Sequence, residues 1–502
     1  MENLRNKILV ALLIAVGLTI PIQAKMATMD EALNVASNWI DLVIQKKGSW
    51  GDANTAFIQD IQEFKQGQRT IGYFCNVEPV GYIIVSLRKE LAPIKAYSAR
   101  CNLDPAFGEG MADLIKGKME EILNAIEQQA GPIQTARTED VSRLVEINYG
   151  NAWAELEGDI SMVQWDLDSD EGDISAANYQ EGDIMLTTNW HQGDPYNHDC
   201  PAPPGGDDCT AAHCVVGCVA TAGAQVMRHW CWPPYGVGIG YSDFYDWPNM
   251  PDSVTAGSPA AERNAVAELS HEIGVAVGMG YCLGSSSPCA STANTYDMED
   301  VYEDQYRYST VCAKRDRTSY SAVDWFNLMK VDFNVNRVIQ YRIKGHSIVG
   351  DGWQEIGTTP TRQYHMNYGW SGTSEDTWYT LDALYQPGGG TTNDEYMLEN
   401  IYPAQSLHSV ISGTYTRQSF YYRYFNVDAT GTSATFDPGQ YLQFLPGITL
   451  TCTSTTGGSI RFNSSSSNLT RLFSRNGDRT QGVRLNSGGT IKLNGYGCIK
   501  FD

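Results

Sequence analysis

Positive charge is scarce in this sequence. Its 502 residues carry 35 Lys and Arg against 58 Asp and Glu, which gives a formal net charge of −23. A nucleic-acid surface needs a basic patch that displaces counterions from phosphates, and adhesion to anionic lipids needs clustered cations. The composition therefore argues against both kinds of partner, while the 42% hydrophobic content is sufficient for a folded core.

Long apolar runs are also few. The run from Ile8 to Ile22 is shorter than the ~20 residues that span a bilayer, and no later segment is long enough to do so. Arg5 and Lys7 precede this run, and the segment Pro21-Ile22-Gln23-Ala24 at its end offers a cleavage site after the small residue Ala24. That order is typical of a secretory signal, and a membrane anchor is the less favoured alternative. We expect residues 1–24 to be a signal peptide and the mature chain to be secreted, extracellular or associated with a cell surface.

Cysteine is not scarce, and twelve residues suit an oxidising compartment. Cysteines close in sequence suggest local disulfides, although the sequence leaves their pairing open. The suggested pairs are Cys200 with Cys209, Cys282 with Cys289, Cys75 with Cys101, and Cys452 with Cys498. A zinc site is the alternative for the cysteines and histidines between positions 200 and 231. Their spacing does not match paired Cys-x₂₋₄-Cys ligands, so we expect no metal and no cofactor.

The composition changes along the chain and predicts four segments after the signal. Residues 25–132 mix helical and strand periodicity, which indicates a small α+β unit. Residues 133–184 are acidic and turn-rich, which predicts an exposed, cleavable linker. Residues 185–403 begin with helical patterns and continue with patterns of antiparallel strands, so this block is also predicted as α+β. Residues 404–502, rich in Ser, Thr and Gly, predict a small all-β sandwich.

The residue best suited to chemistry is Cys218. It follows Gly217 and begins a run of small residues, Val219 to Ala224, that is typical of the first turns of a buried helix. A helix N-terminus favours a thiolate, and the Cys218 N–H there could also hold a developing oxyanion. A buried structural cysteine is the alternative. We predict that Cys218 is a nucleophile.

A cysteine nucleophile needs a base, and the chain has eight histidines. His346 follows Gly345 and begins an apolar strand, which a turn predicted at Asp351-Gly352 would end. His346 can therefore face Cys218 across a cleft between the helical and strand-rich halves. His365, in a later predicted strand, is the main alternative. Four other histidines lie too near Cys218 in sequence to face it from an opposite wall: His191, His198, His213 and His229.

A third group should orient the imidazole or shield it from water. Asn367 offers an amide oxygen that would accept the imidazole N–H, and Trp370 offers an indole that would exclude water from that bond. Gln192, in a turn-rich segment upstream of Cys218, is a candidate amide donor to the oxyanion. The alternatives are a core aromatic residue for Trp370 and an ordinary turn residue for Gln192.

At these residues the chain resembles the streptopain family of secreted papain-like cysteine peptidases. The catalytic resemblance rests on segments that lie in the family's order: 192–197, 217–222 with 225–227, 274–281, 345–346, and 367–372 with 381–382. Segments 81–86 and 93–98 resemble the family's prodomain. The chain departs from the family at Tyr368, where tryptophan is usual, and at Ser347, where alanine is usual.

The resemblance implies a papain-like catalytic domain of two lobes over residues 185–403, with Cys218 as nucleophile and His346 as base. It also implies that residues 25–132 are an inhibitory prodomain, and that cleavage within 133–184 activates the enzyme. The predicted function is thus a secreted cysteine endopeptidase, made as a zymogen, that acts on proteins or peptides. The alternatives are an acyl-transferring transpeptidase or crosslinker on the same fold, or a non-catalytic surface-binding protein. Residues 404–502 are a candidate for binding a cell-surface or extracellular ligand.

Overall fold

The computed structural model describes residues 25–106, 111–160, 179, 181–204, 209–233, 245–284, 289–370, 377–380 and 395–403, and the backbone of short strands between 413 and 500. The predicted signal peptide, residues 1–24, lies outside the described residues. Within the described ranges, no helix is long and apolar enough to cross a membrane.

The helices of the described residues fall before residue 161 and after residue 178. The α-helices are α1 (Met29–Lys47), α2 (Met111–Ala130), α3 (Thr138–Ser142), α4 (Gly150–Glu157), α5 (Cys218–Trp230), α6 (Ala260–Ala276), α7 (Met298–Asp300) and α8 (Ala322–Phe333). Short 3₁₀ turns lie at Trp247–Asn249, Thr295–Asp297 and Arg317–Ser319, and a π-helical turn lies at Val301–Gln305.

The strands up to residue 399 are β1 (Phe57–Gln66), β2 (Arg69–Glu78), β3 (Tyr82–Ser86), β4 (Ile94–Ser98), β5 (Ala313–Asp316), β6 (Ile339–Ile343), β7 (His346–Ile356), β8 (Thr361–Asn367), β9 (Thr377–Thr380) and β10 (Tyr396–Glu399). They form one 10-stranded sheet in the order β1-β2-β3-β4-β9-β8-β7-β6-β10-β5. Every strand pair in this sheet is antiparallel. Helices with an antiparallel sheet confirm the predicted α+β class.

The amino-terminal unit contributes the first four strands, and its sheet joins the later strands at β4 and β9. Ala96 pairs with Tyr379 and Tyr97 with Trp378 across this junction. Helices α1 and α2 both pack against β1 and β2. Helix α1 begins with a capping box, in which Thr28 and Glu31 satisfy each other's backbone N–H groups, and it ends at Gly48 with φ 84°.

Part of the predicted linker is folded. Helices α3 and α4 lie within residues 133–160 and bury Val141, Trp153 and Leu156. The Trp153 Nε1 donates to the Leu91 carbonyl at 2.8 Å, and the buried Arg88 guanidinium donates to the Ile133 carbonyl at 2.7 Å. The prediction of an exposed linker is therefore wrong for this stretch, because a few apolar residues among the acidic ones suffice to dock it on the amino-terminal unit. Residues 161–178 lie outside the described residues, so cleavage there stays a prediction.

The disulfides differ from the local pairs that the spacing suggested. Cys209 bonds to Cys289 and Cys214 bonds to Cys282, while Cys75 is a free thiol. Both bridges join the segment before α5 to the segment after α6, because folding brings these two loops together. The prediction of nearest-neighbour pairs is wrong for these cysteines. Cys452 and Cys498 lie on paired strands, but their side chains are outside the described residues and their bridge stays a prediction.

Beyond residue 403 the described elements are all strands: β11 (Gly413–Tyr415), β12 (Val427–Asp428), β13 (Ser433–Phe436), β14 (Tyr441–Phe444), β15 (Thr449–Cys452), β16 (Ser459–Asn463), β17 (Arg471–Ser474), β18 (Val483–Arg484), β19 (Thr490–Asn494) and β20 (Gly497–Lys500). They form one sheet of four strands and two of three, with both parallel and antiparallel pairs. The predicted sandwich packing of these sheets stays a prediction.

Candidate active site

Cys218 is the first residue of α5. The preceding Gly217 has φ 89°, a left-handed value that favours glycine, and a Cβ there would lie 2.7 Å from the Met279 side chain. All residues from Val219 to Trp230 are buried, so the small residues let the helix pack closely on every side. The backbone therefore turns sharply at Gly217 and presents the Cys218 thiol at a helix N-terminus, where N–H groups lack intrahelical partners.

The chain just before Cys218 is held in place from two sides. The Val216 N–H donates to the Gln192 carbonyl at 2.9 Å, and the Ser291 hydroxyl donates to the Val215 carbonyl at 2.6 Å. The two disulfides add covalent links between these same loops. Cys209 and Cys214, which the zinc alternative would need as ligands, are thus joined in disulfides and cannot coordinate a metal as thiolates.

His346 lies beside this thiol. It is the first residue of β7, directly after the tight turn at Lys344-Gly345 that connects it to β6. Burial of the Cys218 thiol opposes its ionisation, but the hydrogen bond and charge of His346, the Ser347 backbone N–H and the charge of Arg342 outweigh it. The pKa of Cys218 is lowered as a result, which is the property that a cysteine nucleophile requires.

Other cysteines of the described residues have the opposite tendency. Burial raises the pKa of Cys75 to about 12 and that of Cys200 to about 12, and burial also raises the pKa of Cys312. No imidazole is among the groups that shift these thiols. Among the four free thiols with a shifted pKa in the described part of the chain, Cys218 is thus the one whose pKa is lowered.

The other nitrogen of the His346 ring faces a backbone carbonyl. His346 Nε2 lies 2.8 Å from the Tyr368 oxygen, which can accept the imidazole N–H. The Trp370 ring stacks on the imidazole with centroids 4.6 Å apart and an interplanar angle of 24°. Trp370 thus lies where the sequence predicts a shielding indole, and the peptide of Tyr368 occupies the place of the predicted amide acceptor.

Asn367 does not contact the imidazole in this structure. Its Oδ1 accepts from Gln225 Nε2 and from the Gly369 N–H, both at 3.0 Å, and its Nδ2 donates to the Thr188 carbonyl at 2.9 Å. The amide therefore fixes the turn that carries the Tyr368 carbonyl and Trp370. The expected hydrogen bond from the imidazole to Asn367 is therefore absent, because the Asn367 side chain points toward α5. Asn367 acts on the imidazole only through the turn that carries the Tyr368 carbonyl.

The backbone of Gln192 lies near Cys218. The Gln192 carbonyl accepts a hydrogen bond from the N–H of Val216, two residues before Cys218. Its side chain is half-buried and forms no hydrogen bond within the described residues. An amide in this position is free to donate to a substrate oxygen.

The alternative base, His365, has a different partner. Its Nδ1 lies 2.6 Å from Asp351 Oδ1, and the other Asp351 oxygen accepts the Leu186 N–H at 3.0 Å. Both side chains are buried. Asp351 lies in the middle of β7, so the turn that the sequence predicts at Asp351-Gly352 is wrong: the strand continues past a bulge to Ile356.

Two residues near the dyad were missed by sequence reasoning. Gln340 on β6 is buried and donates to the Val219 carbonyl at 3.1 Å and to the Ser347 hydroxyl at 3.0 Å. Arg342, on the same strand, contributes its charge to the thiol. Both occupy the polar positions of an alternating strand, which sequence reasoning assigns to solvent. Only the folded sheet shows that this face lies toward α5.

The amino-terminal unit covers the other face of these strands. Helix α2 and the strands enclose a cavity of about 300 Å³ whose walls include Leu114, Tyr341 and Tyr368. Lys118 on α2 pairs with the buried Glu395, and Glu121 pairs with Lys344 at 3.2 Å, in the turn before His346. Helix α2 therefore lies against the turn before His346 and near Tyr368, whose carbonyl accepts the imidazole N–H.

The chain is similar to two known protein families and to several known proteins. Residues 190–379 match the Peptidase C10 family, and residues 24–122 match the Spi protease inhibitor family. A thiol protease/hemagglutinin of Porphyromonas gingivalis is 22% identical over 417 residues, covering 77% of this chain and 43% of that protein. The chain thus spans less than half the length of that relative. Streptopain of Streptococcus pyogenes is 23% identical over 352 residues, covering 64% of this chain and 76% of streptopain.

Solved structures of interpain A from Prevotella intermedia are also similar. A fragment of prointerpain A is 22% identical with a TM-score of 0.49, covering 69% of this chain and 99% of that one. The active wild-type cysteine protease is 25% identical with a TM-score of 0.36, covering 45% of this chain and 96% of that one.

Proposed function

We propose that this chain, which belongs to the streptopain family of cysteine peptidases, cleaves peptide bonds with Cys218 as nucleophile and His346 as base. The protein is a cysteine peptidase made as a zymogen, with its inhibitor in the same chain. The observation that carries the residue assignment is the hydrogen bond of the Cys218 thiol to His346, in surroundings that lower the pKa of the thiol.

The reaction follows from the placement of these groups. His346 takes the thiol proton, and the Cys218 sulfur attacks the peptide carbonyl carbon to give a tetrahedral oxyanion. The Cys218 N–H at the start of α5 and the unpartnered amide of Gln192 are the donors that stabilise this oxyanion. The imidazolium then protonates the leaving amine, and water, activated by His346, hydrolyses the acyl-enzyme.

Asn367 and Trp370 support His346 in different ways. The Tyr368 carbonyl holds the Nε2 hydrogen and thereby leaves Nδ1 for the thiol, while Trp370 excludes water from one face of the ring. Asn367 is a positioning residue, because its three hydrogen bonds fix the turn on which both groups lie.

The amino-terminal unit keeps the enzyme latent by its attachment to the catalytic sheet. Strand β4 pairs with β9, and the hydroxyls of Tyr82 and Thr377 lie 2.7 Å apart across the junction. Activation requires a cut in the stretch before Tyr179, since Gly182 and Met185 already bond to β7 as part of the catalytic block. Removal of the unit would then expose the edge of β9 and the face of the strands that α2 covers.

Three further features belong to this proposal. The catalytic block forms two lobes, a helical one around α5 and α6 and a sheet lobe around β7, with the dyad between them. Residues 1–24 are a signal peptide that directs the export of the protein to the cell surface or the extracellular space. The strand-rich residues 404–502 bind a cell-surface or extracellular ligand, separately from catalysis.

The test compares the full chain with its Cys218→Ala and His346→Ala variants. We expect the parent protein to lose its amino-terminal unit, to hydrolyse casein and to be labelled at Cys218 by an irreversible thiol probe. Both variants should stay full length and hydrolyse no casein. Casein hydrolysis by Cys218→Ala, or labelling of a different cysteine in the parent protein, would refute the assignment.

A further inference from the structure

Arg342 lies beside the catalytic dyad and its charge acts on the thiol, but the reaction above uses no contact of its guanidinium with the substrate. It pairs across the β6–β7 hairpin with Ser347, the residue that follows His346 and whose N–H faces the thiol. Directly paired residues of antiparallel strands have their side chains on the same face, about 5 Å apart at Cβ. Arg342 and Ser347 therefore lie on one face, next to the reacting sulfur.

That face is the one against which the nucleophile helix packs. Gln340, two residues before Arg342 and so on the same face of β6, donates to the Val219 carbonyl in the first turn of α5. Arg342 lies about 7 Å farther along the strand, toward the turn at Lys344-Gly345 and past the point where the helix starts. The guanidinium is thus placed in the cleft in front of Cys218 rather than under the helix.

Arg342 has no counter-ion within the described residues. Its Nη1 is buried and has no hydrogen-bond partner, and the side chain as a whole stays partly exposed. Its other neighbour across the sheet is Tyr396 of β10, an uncharged residue. Lys314, on the next strand, is different because its ammonium pairs with Asp316 at 2.7 Å. A partly buried guanidinium with an unused donor is suited to a carboxylate that arrives from outside.

The position of Arg342 also indicates which part of the substrate it meets. The imidazole protonates the leaving amine, and its partners Tyr368 and Trp370 lie on the β8 side of β7. Arg342 lies on the opposite side of β7, on β6. Because the acyl part of the substrate extends away from the leaving amine, it would run past Arg342. In an extended peptide the side chains alternate, so the second residue before the cleaved bond faces the sheet wall.

Resting on the proposed peptidase function, we propose that Arg342 forms a subsite for an acidic side chain, Asp or Glu, at the second substrate residue before the cleaved bond. A charge-assisted bond to a carboxylate gives preference for Glu over the isosteric Gln by a factor on the order of 10 or more in kcat/KM.

The test uses fluorogenic peptides that differ only in Glu or Gln at the first, second or third residue before the cleaved bond. The matured full chain should favour Glu roughly tenfold at the second residue, and Arg342→Gln should bring that ratio to about 1. Lys314→Gln removes a cation from the same sheet and is the matched control, which should keep the ratio. A Glu to Gln ratio near 1 at the second residue, or a preference unchanged in Arg342→Gln, overturns the proposal.

Two further readouts separate the possible failures. Hydrolysis of the Gln peptides reports the peptidase function itself, so equal cleavage of Glu and Gln peptides refutes only the subsite, whereas cleavage of neither refutes the function. If Arg342→Gln does not fold, the parent protein still decides the matter by its salt dependence. The Glu preference should fall as NaCl is raised to 1 M if it rests on a partly exposed ion pair, and an unchanged preference contradicts the proposal.

Discussion

The surroundings of His346 and of His365 show how one residue type serves two purposes on neighbouring strands. His365 is buried against the carboxylate of Asp351, which also fixes a backbone N–H of the chain that enters the catalytic block. His346 has a neutral carbonyl on one nitrogen and the Cys218 thiol near the other. His365 is thus enclosed in the core with its carboxylate partner, whereas His346 lies at the start of its strand beside the thiol that the proposed reaction uses.

The largest effect is expected when the imidazole of His346 is removed. His346→Ala should lower kcat/KM for peptides by a factor on the order of 10⁴, because the thiol loses its base. His365→Gln is the matched control and should keep kcat/KM within about tenfold of the parent protein. Both are measured after maturation by an added protease, with thermal unfolding as a check on the fold. Equal losses of activity would contradict the division of roles.

The next effect concerns the stability that the Asp351–His365 pair contributes. Asp351→Ala should reduce the free energy of unfolding by about 3 kcal/mol, since it leaves His365 and the Leu186 N–H buried without their partner. Chemical denaturation with two probes measures this value. A variant as stable as the parent protein would show that the pair contributes nothing to the fold.

Much of this site could be predicted from the sequence, and the limits have physical causes. Cys218, His346 and Trp370 lie in local patterns that their own neighbours determine: a glycine turn, a small-residue helix and a strand start. The partner of the imidazole could not be predicted, because a backbone carbonyl has no sequence signature and the Asn367 amide can point either way. The disulfides were missed for a similar reason, since they join loops that only the fold brings together.

The fold also divides into features that local sequence predicts and features that depend on tertiary contacts. Alternation and helical spacing predict most elements of the two α+β parts, but not that β4 and β9 join them into one sheet. The acidic character of residues 133–160 suggested exposure, although Trp153 and Leu156 are buried on the amino-terminal unit. The charge of a segment is therefore a poor predictor of its exposure when a few of its apolar side chains can pack against a neighbouring unit.

A smaller effect concerns Asn367, the last residue of β8, which fixes the turn that carries the Tyr368 carbonyl. Asn367→Ala should reduce the free energy of unfolding by about 2 kcal/mol, because it leaves Gln225 and the Gly369 N–H without their acceptor. It should also lower kcat/KM while KM changes little, because the Tyr368 carbonyl moves relative to His346. A loss of stability with unchanged kcat would show that Asn367 does not position the base.

The smallest effect concerns the indole. Trp370→Ala should lower kcat/KM by roughly tenfold, since stacking between rings contributes about 1 kcal/mol and water gains access to the imidazole. Trp370→Phe keeps an aromatic face and should restore most of the activity. Initial rates at peptide concentrations well below KM measure kcat/KM for both variants, and full activity in the alanine variant would contradict a shielding role.

The central claim, that His346 makes Cys218 a thiolate, is tested most directly by the rate of Cys218 alkylation by iodoacetamide as a function of pH. Because the folded environment lowers the pKa of this thiol, the rate should already be high below the ordinary thiol range of about 8.5, and it should fall only as acid protonates the thiolate. In His346→Ala the midpoint should move up toward that ordinary value. A parent protein with a midpoint near 8.5, unchanged by His346→Ala, would contradict the account.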